Sequence, residues 1–146
     1  MRLPLLSALC LALAACSGDP LTNVDDGLVI YPSSPIARPG DPLTVHLINW
    51  SGQNLTENLC PITLQERQGT SWVSVYTEPP PDTACPAYAR FFPPGRTISR
   101  GVTLPANLTE GQYRIVFQWL GMEDGPAIPE ELRASQPVDI RFYLPE

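Results

Sequence analysis

Apolar and polar residues alternate along much of this chain in short runs, each closed by Gly, Pro or Asn. The clearest run is Tyr113-Arg-Ile-Val-Phe-Gln-Trp119. Tyr113, Ile115, Phe117 and Trp119 share one face and Arg114, Val116 and Gln118 the other, which predicts a half-buried strand. Leu43, Val45 and Leu47 alternate with Thr44, His46 and Ile48 in the same way. Leu28 to Tyr31, bounded by Gly27 and Pro32, predicts an edge strand. Ser51 to Leu59 is polar and reads as a loop. Beyond Cys60, Ile62 and Leu64 alternate with Thr63 and Gln65. Arg67 to Ser71 then turns the chain, and Trp72 to Tyr76 returns as the hairpin partner. Glu78-Pro-Pro-Pro-Asp82 cannot enter a sheet interior. Ala89 to Phe92 predicts a short strand ended by Pro93-Pro94-Gly95. Thr97 to Leu104 predicts another, with Ile98, Val102 and Leu104 on one face and a bulge at Gly101. Gly121 to Gln136 is a long loop with one helical turn around Pro129 to Arg133. Val138, Ile140 and Phe142 alternate in a last strand. The sum is seven or eight short antiparallel strands with no long helical period and no repeat, an all-β sandwich.

The N-terminus follows a different rule. After Met1-Arg2, residues 3–15 carry no charge. A positive start, a short apolar run and small residues make a secretory signal, and the run is shorter than the about 20 residues needed to span a bilayer. It ends in Leu13-Ala14-Ala15-Cys16, which resembles the lipobox of bacterial lipoproteins. That resemblance implies cleavage before Cys16 and a diacylglycerol on the Cys16 thiol, usually joined by an amide-linked acyl chain. Two or more chains anchor stably where one is marginal. Ser17 at the second mature position implies the outer membrane, facing the periplasm, in a bacterium with two membranes. Residues 16–27 are polar and turn-rich and read as anchor and flexible tether, with an r.m.s. reach of roughly 18 Å. Residues 28–146 make the domain.

Cleavage changes the charge and cysteine counts. The chain has nine basic and fifteen acidic residues; losing Arg2 leaves eight against fifteen, a mature charge of −7. Lys is absent. An acidic chain with scattered Arg has no electrostatic footprint for nucleic acid and is unlike a polybasic membrane-surface protein. Of four cysteines, Cys10 leaves with the signal and Cys16 carries lipid. Cys60 and Cys85 remain in an oxidising compartment and are expected to pair. Neither has a C-x-x-C neighbour or a nearby histidine.

Leu108-Thr-Glu-Gly-Gln-Tyr113 resembles a tyrosine corner, in which the Tyr at the start of strand F bonds to upstream backbone. Five other motifs share the chain with it: Val45 to Asn49, Leu64-Gln-Glu-Arg with Trp72-Val-Ser-Val, Pro94-Gly95, Val102-Thr-Leu-Pro105 and Val138 to Phe142. Together they resemble a bacterial immunoglobulin-like domain of exported proteins and lipoproteins, over roughly Tyr31 to Pro145. The resemblance implies a single immunoglobulin-like sandwich. It does not include the antibody-type disulfide between strands B and F or the Trp of strand C.

Catalytic chemistry finds few carriers. His46 is the only histidine and lies mid-strand opposite the expected core face, which suits a surface residue better than a catalytic base. Without Lys there is no Lys nucleophile and no P-loop. One His and one mature Met, Met122, cannot build a mononuclear zinc or copper site, so no metal or cofactor is expected. Glu123-Asp124 and Glu130-Glu131 could serve a hydrolase only from a rigid cleft; a solvated loop is the plainer reading. Asn49, Asn54 and Asn107 head glycosylation sequons that a bacterial lipoprotein is not expected to use. Possible binding loops hold Trp50, Phe91, Phe92, Met122, Glu123 and Asp124. Burial at the ends of the sandwich is the expectation for Trp50, Phe91, Phe92 and Trp119; exposure would instead mark a contact surface.

The expected function is a monomeric, membrane-anchored, non-catalytic envelope domain with a structural or protein-binding role. A protease inhibitor acting through end loops, as in the chagasin-like family, is the alternative, although Asn49-Trp-Ser-Gly-Gln53 stands where that family has Asn-Pro-Thr-Thr-Gly. A small hydrolase is a weaker one.

Overall fold

A computed structural model describes residues 27–80, 83–123, 125 and 128–143. The segments read as signal and tether up to residue 26, with Cys16, and Asp124 lie outside the described residues. Nine strands occur among those described: β1 (Leu28–Pro32), β2 (Ile36–Ala37), β3 (Pro42–Asn49), β4 (Leu55–Gln68), β5 (Ser71–Glu78), β6 (Arg90–Phe92), β7 (Thr97–Thr103), β8 (Gly111–Met122) and β9 (Val138–Ile140). One 3-10 turn, Glu130–Arg133, sits in the loop before β9.

The strands form two sheets, one in the order β1-β3-β7 and the other in the order β2-β9-β8-β4-β5, with β6 also paired to β4. This is the strand order of an immunoglobulin-like sandwich, A-B-E against G-F-C-C′. Pro32 and Pro35 lack the N–H that would continue β1, and the chain crosses there to the second sheet. β2 then runs parallel to β9, so the pairing is not wholly antiparallel as expected from the sequence. Leu43, Val45, Leu47 and Val102 of the first sheet, with Leu104 just past β7, meet Leu55, Ile62, Leu64, Tyr113, Ile115 and Phe117 of the second in one core. Tyr113 is buried, and its hydroxyl donates to the Thr109 carbonyl at 3.0 Å, the hydrogen bond a tyrosine corner makes.

The other differences from the sequence reading have specific causes. β4 begins at Leu55, inside the segment read as a loop, because buried polar residues there interrupt the apolar alternation. Pairing of β4 with β8 shifts register between Asn58 and Ile62. Beyond that bulge the alternation of β8 changes phase, so Leu120 is buried and Trp119 exposed. Gly101 marks no bulge, since β7 pairs with β3 without a break. Phe142 lies beyond β9 and is exposed.

The long loop before β9 is held on β8 by Arg133. Its guanidinium donates to the carbonyls of Ile128, Phe117 and Gln118 at 2.8, 2.9 and 2.7 Å. Glu130 accepts from Gln65 and Arg114 on the outer sheet face at 2.9 and 3.3 Å, and the Arg114 guanidinium lies 4.7 Å from the Trp72 ring. Glu130 and Glu131 are both exposed, as expected of a solvated loop, and Glu130 is in addition engaged by Gln65 and Arg114.

Candidate binding surface

One end of the sandwich concentrates the loops, and Asn49 organises it. Asn49 is the last residue of β3 and fully buried. Its side-chain amide donates to the carbonyls of Phe92 at 2.7 Å and Gln53 at 3.0 Å. Its side-chain oxygen accepts from the N–H and the hydroxyl of Ser51 at 3.0 and 2.5 Å. Its backbone N–H donates to Arg96 O at 3.0 Å, and its carbonyl accepts from Gly95 at 2.6 Å. One side chain and its peptide groups thus tie three connections together, and a glycan on Asn49 is ruled out by its burial. The chain enters the domain beside this residue. Leu28 pairs with Asn49, and the Trp50 N–H donates to Gly27 O at 2.6 Å. A Cβ on Gly27 would collide with the backbone of Ser51, so only glycine allows this close approach.

With its neighbours secured, Trp50 has nowhere inward to turn and is 65% exposed. The expected burial of Trp50, Phe91 and Trp119 is overturned, since Phe91 and Trp119 are 60% and 52% exposed. Phe92 is fully buried as expected. The split within Phe91-Phe92 follows from strand alternation, because consecutive side chains of β6 point to opposite faces. Met122 is partly buried against the core and Glu123 is exposed.

Trp119 and Tyr88 line a cleft on the outer face of the second sheet, and Phe91 stands beside it, paired with Thr56. Across β6, β4 and β8 the register aligns Phe91, Thr56 and Gly121, while the neighbouring row sets Asn58 beside Trp119. Thr56, Asn58, Tyr88, Trp119 and Gly121 line an open cleft of about 310 Å³. Tyr88 is itself 60% exposed. The segment carrying it is fixed twice. Asn58 donates to the carbonyls of Pro86 and Tyr88 at 2.5 and 3.0 Å, and a Cys60–Cys85 disulfide joins the segment to β4 across a Cα–Cα distance of 5.7 Å. The expected cysteine pair therefore staples one wall of this cleft. Tyr88 and Thr56 were not visible as site residues in the sequence, because only the pairing of β6 with β4 brings their segments together.

Behind the cleft a buried carboxylate pairs with an exposed arginine. Glu57 is 3% exposed, and its Oε1 lies 2.9 Å from Arg90 Nε. Its Oε2 has no hydrogen-bond partner among the described residues. Burial raises the Glu57 pKa above 4.5, and the opposing pull of Arg90 does not cancel the shift. The folded state holds this proton more tightly than the unfolded chain. Stability from protonated Glu57 is thus present in acid and lost as pH rises through the folded-state pKa. Glu57→Gln is expected to be more stable than the parent at neutral pH, with the gap closing as pH falls through the folded-state pKa toward 4.5. Urea unfolding at the two pH values reads this.

His46 lies on the outer face of the first sheet, with Nδ1 2.8 Å from Ser99 Oγ and its ring centroid 5.1 Å from that of Tyr31. Among the described residues, no three or more His, Cys, Asp or Glu side chains are grouped as metal ligands would be.

No family model matches the chain, and no curated protein matches it. Among solved structures, it is similar to the sporulation control protein Spo0M of Bacillus subtilis, with a TM-score of 0.46 and 11% identity. That match covers 80% of this chain and 50% of the other, so the chain spans half of that protein's length. It is also similar to a superoxide reductase (neelaredoxin) of Ignicoccus hospitalis, with a TM-score of 0.35 and 9% identity, over 85% of this chain and 89% of that one. At these scores neither likeness bears on what the chain does.

Proposed function

We propose that this chain is a non-catalytic, lipid-anchored domain of the bacterial envelope that binds a protein partner through the cleft lined by Tyr88 and Trp119 and the exposed Phe91 beside it. The observation that carries the binding role is the exposure of these three aromatics together on a rigid, disulfide-stapled platform. Aromatic side chains of this kind dominate protein contacts, because each buries a large area at small conformational cost. The lipobox-like Leu13 to Cys16 supports the anchor. A non-catalytic role is supported by the engagement of the candidate groups elsewhere: the single histidine with Ser99, Glu130 with Gln65 and Arg114. The inhibitor alternative is less well supported. Asn49 and Ser51 are buried, which leaves the Trp50 loop too short to insert deeply into a protease cleft.

A photo-crosslinking amino acid at Phe91, in cells that make the full chain, tests the binding role. The expected result is one discrete adduct that disappears when Trp119→Ala is added. The same probe at Thr70, in the exposed hairpin turn, is expected to give no such adduct. Equal adducts from both positions, or none from Phe91, would remove the case for the cleft.

A further inference from the structure

The lipid anchor proposed above leaves open how the domain stands on the membrane, and the geometry of the Asn49 end answers this. We infer that this end rests on the lipid surface itself, with the Trp50 indole placed among the headgroups. The inference depends on the anchor reading for its tether, but its own basis is the position of Trp50. The described chain begins at Gly27, whose carbonyl accepts from the Trp50 N–H at 2.6 Å. Cys16 lies eleven residues before Gly27, a stretch that spans at most about 40 Å even when fully extended. A lipid on Cys16 is therefore tethered to this end of the domain rather than to the opposite one.

The chemistry of the end suits that surface. Trp50 is 65% exposed on a loop that Asn49 and Ser51 hold from within. Tryptophan favours the membrane–water boundary, where its ring is apolar and its N–H is solvated. Next to it, the Pro93 to Arg96 turn is bound through Asn49 to Arg96 O and from Gly95 N. Its Pro94, Gly95 and Arg96 are exposed and offer one cation to anionic headgroups. Glu123, whose N–H donates to Asn54 O at 3.3 Å, stands at the same end and opposes that attraction. The indole rather than net charge is therefore the main contact. With Trp50 on the lipid, the Trp119 cleft on the sheet face is held beside the membrane and open to the side.

The test uses the lipidated protein in vesicles of phosphatidylethanolamine and phosphatidylglycerol, some carrying acyl chains brominated near the headgroup. Trp72→Phe and Trp119→Phe leave Trp50 as the only indole. The expected result is loss of Trp50 emission with brominated lipid and protection from aqueous iodide, neither of which the unlipidated Cys16→Ser chain shows. If the protein floats with the vesicles while Trp50 stays open to iodide, the anchor stands and the docking is overturned. If the protein from cells carries no lipid, the anchor reading fails. A chain beginning at Cys16, coupled through that thiol to a maleimide-headgroup lipid, then decides the docking alone: quenching of Trp50 supports it, and no quenching overturns it.

Discussion

Asn49→Ala is expected to destabilise the domain by about 3–4 kcal/mol, because several buried groups lose their partners at once and each such loss costs about 1–3 kcal/mol. The carbonyls of Phe92 and Gln53 lose the amide donor, and the Ser51 N–H loses its acceptor. None of these can be recovered by repacking, since Ala brings no polar atom to a fully enclosed position. The damage should be local as well as global. The Asn49 side chain holds the loop bearing Trp50 at Ser51 and Gln53 and holds the Phe92 carbonyl ahead of Pro93, so hydrogen exchange in the Trp50 loop should rise ahead of exchange in β3, while the turn at Gly95, held by the Asn49 backbone, changes less. Chemical denaturation gives the magnitude and exchange gives the location. A loss below about 1 kcal/mol, the usual net worth of one hydrogen bond, would mean that Asn49 is not the organiser of this end.

Removal of the Cys60–Cys85 bond is the second large effect. It closes a loop of 25 residues, which the chain-entropy model values at about 3.5 kcal/mol. Set against a typical domain stability of about 5–15 kcal/mol, the loss is severe. The double variant Cys60→Ala/Cys85→Ala should unfold at correspondingly lower denaturant. Any protein that remains folded should keep its β3 and β7 pairing, because neither strand touches the staple. The local consequence falls on Tyr88. Without the disulfide its segment depends on the two hydrogen bonds from Asn58, and binding through the cleft should weaken even where the fold survives.

Much of the sandwich is legible in the chain because burial on one face of a strand writes itself as alternation. Leu43, Val45 and Leu47 read inward and are inward, and the Gly69 turn joins β4 to β5 where the punctuation placed it. The start of β4 escapes for a physical reason. Glu57 and Asn58 are buried and meet partners far along the chain, Arg90 at one Glu57 oxygen and the Pro86 and Tyr88 carbonyls at the Asn58 amide. Tertiary polar contacts leave no hydrophobic trace, so the segment reads as a loop. The same limit hid the cleft. Trp119 belongs to the inward set of β8 until a bulge in the partner strand changes the phase, and no residue of β8 itself announces the change. Trp50 is exposed because Asn49 and Ser51 consume the interior around it, which depends on the β6 carbonyl at Phe92 rather than on anything adjacent in sequence.

Placement at the membrane underlies both the proposed partner cleft and the docking of Trp50, and it rests on Cys16. Mass spectrometry of the N-terminal peptide, taken from the full-length protein in the membrane fraction, tests it most directly. The account predicts a peptide that begins at Cys16 and carries a diacylglycerol on the thiol. A peptide that begins elsewhere, or one with an unmodified Cys16, would contradict it.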